Sequence, residues 1–260
     1  MIKFTDLLFP PSCICCGELL ERKYFGSPMC GVCLGKWELS KNRCRNEIGG
    51  RPVREIEPFG VGGTHEFVPY SVEYTPGKRM SPENELIFKL KDFPDKNIID
   101  FAAREFAAIV TEDIPIIAIG GTKHDDALIT WIPRRRASVR KFGFDHMERT
   151  AKALSGKLSI PALPLIKRLT LSYEQKQLNR RERRINAERT MTVRDGVSLK
   201  GKVVLLIDDI VTTGASLSAA SKLLLDAGAQ HVIPMALAAT ERPLEAGVRK
   251  IEDNFNIIKK

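Results

Sequence analysis

The sequence predicts an α/β fold, a mostly parallel sheet covered by helices, with a small cysteine-rich module in front of it. Three observations carry that expectation. Residues Val203-Val-Leu-Leu-Ile207 form a continuous apolar run, the pattern of a strand buried on both faces of a parallel sheet. A helical stretch from about Ala215 to Ala227, closed by Gly228, and an apolar run His231–Ala238 follow it, which is the order of a βαβ unit. All six cysteines fall within residues 13–44 of a 260-residue chain.

At the front, Cys13-Ile-Cys15-Cys16-Gly17 and Cys30-Gly31-Val32-Cys33 place two C-x2-C knuckles 13 residues apart. Two such knuckles can set four thiolates around one tetrahedral ion, so Cys13, Cys16, Cys30 and Cys33 are the expected ligands of a structural zinc. Four thiolates close the coordination shell and leave no position for catalysis. The metal would supply folding energy that a segment with little core lacks. A set of free or regulatory thiols is the competing reading, and a pairing through Cys15 is the alternative ligand choice. Cys44 has no cysteine near it in the chain, and His65 is read as a surface residue. The expected division is a four-cysteine zinc-binding module over 1–50, a Gly- and Pro-rich linker over 51–66, the α/β domain over 67–240 and a polar tail over 241–260.

Within the α/β domain, Phe67–Tyr74 reads as one strand, with Pro69 suggesting an edge. Ser81-Pro-Glu-Asn-Glu85 carries a cap, a first-turn proline and two carboxylates, and so opens a helix. Ile98, Ile99, Ala102, Phe106 and Ile109 give a second helix over about 96–110 its apolar side. Ala127–Ile132 is a short buried strand ending at Pro133, followed by a basic loop and a helix from about Asp145 to Leu154.

The most informative segment is Asp208-Asp-Ile-Val-Thr212-Thr-Gly-Ala-Ser216. A buried strand delivers two acids to its carboxyl end, where open α/β sheets bind ligands. Small and hydroxylated residues, Thr212, Thr213, Gly214, Ala215 and Ser216, then lead into a helix N-terminus, an arrangement suited to a phosphate. A phosphate would not attract the acids. Sugar hydroxyls, or a hydrated divalent cation on them, would explain Asp208 and Asp209. The absence of G-x-x-x-x-G-K-[ST] argues against a P-loop hydrolase.

Charge is placed rather than spread. The chain has net charge +9 and pI about 9.3. Residues 133–141 carry five positive charges and no negative ones, and residues 167–189 carry eight against three. The first run should sit at the same sheet edge as the phosphate loop, with Arg134 and Arg135 placed to meet a second anionic group. The second run, with Arg180, Arg181, Arg183 and Arg184, fits a lid over the site, a track for a single-stranded nucleic-acid backbone or an ordinary solvated helix face. No apolar run approaches the roughly 18 residues of a membrane span. The chain is read as soluble and cytoplasmic.

The string Asp208–Ser216 resembles the phosphoribosyl-pyrophosphate (PRPP) motif of type I phosphoribosyltransferases. Thr130-Trp-Ile-Pro133, Phe142-Gly-Phe-Asp145, Arg168-Leu-Thr170, Gln175–Leu178 and Arg180–Asn186, with Phe9-Pro10 before the knuckles, narrow the resemblance to ComF-type competence proteins. The resemblance implies a type I phosphoribosyltransferase-like sheet with a zinc-ribbon-like front module. It also implies that Asp208 and Asp209 contact ribose hydroxyls, that Thr212–Ser216 hold the 5-phosphate, that magnesium accompanies PRPP, and that Arg134 and Arg135 stabilise the leaving pyrophosphate. DNA uptake, with single-stranded DNA and uptake-machinery proteins as partners, is the implied role. A non-catalytic DNA- or protein-binding module keeping a relic pocket is the alternative. Two departures stand out. Such proteins commonly read Asn-Gln where this chain has Asp145-His146, and Thr212 replaces the Asp that purine-salvage relatives use on the base, which argues against purine salvage. Lys91 imperfectly matches the lysine of a Lys-aromatic-x-Gly pattern and is read as a surface residue.

Overall fold

The computed structural model describes residues 10–45, 51–56, 66–77, 81–113, 126–169 and 190–240. Its centre is a four-stranded, all-parallel sheet in the order β3-β8-β7-β4, made of β3 (Val72–Tyr74), β4 (Ala127–Trp131), β7 (Val203–Val211) and β8 (His231–Thr240). Helices α2 (Pro82–Asp92), α3 (Lys96–Asp113) and α5 (His146–Leu158) belong to one side, and α6 (Ala215–Asp226) to the other. A short helix α4 (Arg136–Phe142) follows β4. This is the layered architecture the apolar run at 203–207 anticipates, because a strand apolar on both faces needs cover on both.

The helix signals act as read. The Ser81 hydroxyl accepts the N–H of Asn84 at 3.3 Å and Pro82 fills the first turn of α2. Asp145 caps α5, its Oδ1 accepting the N–H groups of Met147 at 3.0 Å and Glu148 at 3.3 Å. Pro234, which has no N–H to give, stands in β8 where only β7 pairs with it, since β3 reaches only Ala238–Thr240.

Three parts of the sequence reading change. The segment 67–74 is two strands, not one. β2 (Glu66–Pro69) pairs antiparallel with β1 (Val53–Ile56), and after a bend at Ser71 the chain enters the sheet edge as β3. Val53–Ile56, in the stretch expected as a linker, is therefore a strand. Its alternate residues Arg54 and Ile56 are buried, and Ile56 packs in the core on the α6 side. Third, β7 runs on to Val211, so Asp208 and Asp209 lie inside the strand rather than at its carboxyl end. A further two-stranded antiparallel sheet, β5 (Ile166–Arg168) with β6 (Met191–Val193), closes over the α6 side.

The cysteine-rich segment does not pack apart. Its helix α1 (Gly31–Cys44) buries Trp37 completely, edge-on to Phe101 of α3 with ring centroids 5.2 Å apart. Leu20, Met29 and Trp37 share one core with Leu90, Phe106, Leu205 and Ile207. Lys41 of α1 pairs with Glu105 of α3 at 3.2 Å, both largely buried. His65 and the tail 241–260 lie outside the described residues.

Candidate functional site

Strand alternation decides where the acids go. Leu205 and Ile207 face the core under α3 and α5, and Leu206 and Val204 face the core under α6. With a period of two, Asp209 follows Ile207 to the first face and Asp208 follows Leu206 to the second. Alternation thus directs the neighbouring carboxylates to opposite sides, and it slips just beyond them, where Ile210 packs on the first core and Val211 on the second.

Asp209 is 8% exposed and already has partners. Its Oδ2 lies 2.6 Å from His146 Nε2, at the first turn of α5, and 3.1 Å from Lys91 Nζ, at the end of α2. An ionised carboxylate only accepts, so Nε2 carries the proton here. Burial alone would raise the acidity constant of Asp209. The Lys91 ammonium and the His146 contact outweigh it and hold the group well below the usual carboxylate range. Asp208 shows the opposite balance. Burial, then the charge of Asp209, push it well above that range, against the pull of Lys91 and Arg168. Oδ1 of Asp208 accepts the backbone N–H of Asp209 at 3.0 Å.

Lys91, read as a surface residue, is therefore an ion-pair partner inside the site with 35% of its side chain exposed. His146 is 5% exposed, and its Nδ1 is buried without a partner among the described residues. Of the two exchanged amide positions, Asp145 serves the backbone. Beyond capping α5, its Oδ2 accepts the N–H of Arg134 at 2.7 Å.

The basic loop after β4 divides likewise. Arg134, expected on a pyrophosphate, donates from Nη1 to the carbonyl of Lys91 at 2.6 Å and stacks its guanidinium 4.3 Å from the Phe142 ring centroid. It braces the end of α2. Arg135 is exposed and stands at the N-cap position of α4 without a side-chain capping bond. Arg168 of β5, which the sequence reading quoted but gave no role, donates from Nε to the carbonyl of Pro133 at 2.6 Å. Burial lowers its acidity constant, the charge of Asp208 opposes that shift and the charge of Arg135 adds to it.

The loop Thr212–Gly214 turns β7 into α6. Gly214 has φ +75°, and a Cβ there would lie 2.0 Å from Ile56 Cγ2, so the position requires glycine on two counts. Thr212 is exposed, Thr213, Ala215 and Ser216 are partly exposed, and the Thr213 hydroxyl accepts the N–H of Ala215 at 3.4 Å. The N-terminal turn of α6 thus opens at the carboxyl edge of the sheet, where its N–H groups and dipole favour an anion. Arg180, Arg181, Arg183 and Arg184, with Thr170, Gln175 and Leu178, lie outside the described residues.

At the other end, the sulfur atoms of Cys13, Cys16, Cys30 and Cys33 lie within 4.8 Å of one another. Sγ of Cys16 and Cys30 are 3.7 Å apart. A tetrahedron with Zn–S bonds near 2.3 Å has an edge of about 3.8 Å, so the spacing fits that ion. Burial works against ionising Cys13, but the N–H groups of Cys16, Cys30 and Cys15 on its sulfur prevail and bring it down to about 6. Burial, then the neighbouring thiols, push Cys33 well up. Four thiolates at this spacing need a cation to coexist, and Cys15, beside Cys13 and Cys33, is outside the four-sulfur set.

Comparison with known proteins bears on this geometry. Residues 149–258 match the phosphoribosyl transferase domain family. The chain is 31% identical over 98 residues to competence protein F of Haemophilus influenzae, covering 37% of this chain and 43% of that protein. Each of these two matches covers less than half of this chain. A 38-residue stretch is 53% identical to the adenine phosphoribosyltransferase of Nocardia farcinica, covering 15% of this chain and 20% of that protein. The chain spans less than half the length of either relative. Among solved structures, the adenine phosphoribosyltransferase of Saccharomyces cerevisiae shares 13% identity at a TM-score of 0.37, over 80% of this chain and 88% of that one. The central sheet is parallel and lies between helices, and the four-cysteine cluster near the front of the chain fits a zinc module. No helix among the described residues is long and apolar enough to cross a membrane.

Proposed function

We propose that this chain binds PRPP at the carboxyl end of β7. The observation that carries the reading is the continuity of the segment. Within nine residues the chain passes from two carboxylates in a central strand, through Thr212, Thr213 and a left-handed Gly214, into the first turn of α6. Thr212–Ser216 take the 5-phosphate on backbone N–H groups and hydroxyls. Asp208 and Asp209 supply the acidic wall for the ribose hydroxyls. Magnesium would accompany PRPP and supply positive charge at its pyrophosphate, and Arg135 is the basic residue for that end. The chemistry open to such a site is loss of pyrophosphate from the ribose to an acceptor. This chain contributes binding, orientation and fixed positive charge to it. Cys13, Cys16, Cys30 and Cys33 would hold a structural zinc, which staples the front of the molecule.

The partial identity to a competence protein supports a role in DNA uptake. In that role the basic run 167–189 would track a single strand, and charge reversal at Arg180 and Arg183 should flatten the salt dependence of its affinity.

Equilibrium binding of radiolabelled PRPP with magnesium tests the pocket. Wild type should saturate at one site per chain, and Asp208→Asn should lose binding. Equal binding by both proteins would remove the pocket from the account.

A further inference from the structure

The two carboxylates of β7 do different jobs. Asp209 is buried, faces the α2 and α5 side, and shares one oxygen between the Lys91 ammonium and the His146 imidazole. Asp208, directed to the other side by strand alternation, is half-buried and feels the charges of Lys91 and then Arg168, with no ion pair of its own among the described residues. A hydroxyl approaching the edge of the sheet meets an acid already satisfied at Oδ2 on one face and a less encumbered acid on the other.

Resting on the PRPP reading, we propose that Lys91 and His146 are positioning residues: they pin Asp209 on its face of β7 and leave Asp208 as the carboxylate that meets the ribose. Two contacts transmit the effect. The backbone N–H of Asp209 donates to Asp208 Oδ1 at 3.0 Å, so the strand that carries the pinned Asp209 also holds the Asp208 carboxylate. The Lys91 charge also offsets the cost of holding adjacent carboxylates in a buried strand.

Lys91 is itself held. Arg134 Nη1 grips its carbonyl at 2.6 Å, and that guanidinium is stacked on Phe142 while its backbone N–H is tied to Asp145. The basic loop after β4, the end of α2 and the acids of β7 are thereby one connected unit. His146 belongs to it through this chain's own sequence. A glutamine there can also donate an N–H to Asp209, so the imidazole keeps the donor that a side-chain amide would supply.

The test is magnesium–PRPP affinity by calorimetry on the full chain, with thermal unfolding followed in parallel. Lys91→Met and His146→Ala should each weaken binding about tenfold, as expected when a hydrogen bond to a charged group is removed. Lys91→Arg and His146→Gln, which keep a donor, should stay within about threefold of wild type. Asp208→Asn should lose binding, and Asp209→Asn, which keeps the backbone N–H, should lose less. If His146→Ala does not fold, the partly exposed Lys91 pair carries the comparison. Wild-type affinity in Lys91→Met, or an equal fall in Lys91→Met and Lys91→Arg, overturns the assignment while leaving the PRPP site in place. No binding by wild type overturns both.

Discussion

The molecule prepares for cations in two opposite ways. At the front, four cysteine sulfurs converge at a spacing that matches a tetrahedral metal, and burial with the neighbouring thiols keeps the proton on Cys33 unless an ion arrives. At the carboxyl end of β7, two carboxylates stand side by side, yet one is already neutralised by the protein's own Lys91. The first site would need an external ion to hold four thiolates together. The second carries an internal cation and, on the reading proposed above, leaves Asp208 for an incomer. Charge crowding is solved by import in one place and by a side chain 118 positions earlier in the chain in the other.

The largest effect should come from breaking the front site. Cys30→Ser, or chelation of the wild type, should remove about one zinc per chain and forfeit on the order of 10 kcal/mol of metal binding. Because Leu20, Met29 and Trp37 share a core with α3 and β7, unfolding should spread into the sheet, visible as a broadened, earlier melt. A melt confined to a small fraction of the circular-dichroism signal would show the front to be independent. Trp37→Ala should cost about 3–5 kcal/mol by the same route, without touching a ligand.

Gly214→Ala comes next. A left-handed backbone costs about 1–2 kcal/mol for a residue with a Cβ, and contact with Ile56 adds overpacking of about 1–3 kcal/mol. In the double variant with Ile56→Ala the packing cost should recede and the backbone cost remain. Full rescue would show that the conformation imposes no cost.

The acids sharpen the contrast through pH. Asp209 has a depressed folded value, so its contribution is present above the ordinary carboxylate range and is lost as pH falls through the folded value. Asp208 has a raised one, so its ionisation destabilises the fold increasingly as pH rises from the ordinary carboxylate range to the folded value. Asp208→Asn should therefore match wild type in acid and become the more stable protein toward neutral pH. The melting-temperature difference between the two should grow with pH, and a flat difference would contradict the burial of Asp208. Asp145→Ala gives the smallest effect, about 1 kcal/mol for the lost cap of α5.

What the sequence disclosed follows from distance along the chain. The knuckles, the Ser81 and Asp145 helix starts and the passage from β7 to α6 are local patterns, and each is legible. The hairpin β1–β2 was not, because Arg54 and Glu55 make Val53–Ile56 look like a charged linker until Ile56 is seen to pack with the cover of α6. Lys91 looked like a surface residue because its partner Asp209 is remote in sequence, and only the parallel sheet brings α2 to the end of β7. The brace that Arg134 makes on the Lys91 carbonyl was hidden for the same reason. A signal for His146 was present, in the exchange of an amide for an imidazole, but not its meaning. Strand alternation could have separated Asp208 from Asp209, had β7 been extended past Ile207.

A crystal structure grown with magnesium and PRPP puts the pocket to its most direct trial. The geometry at the end of β7 predicts the 5-phosphate on the N-terminal turn of α6, the ribose against Asp208, and Asp209 still paired with Lys91 and His146. A bare loop at saturating ligand, or the sugar seated elsewhere on the molecule, would contradict it.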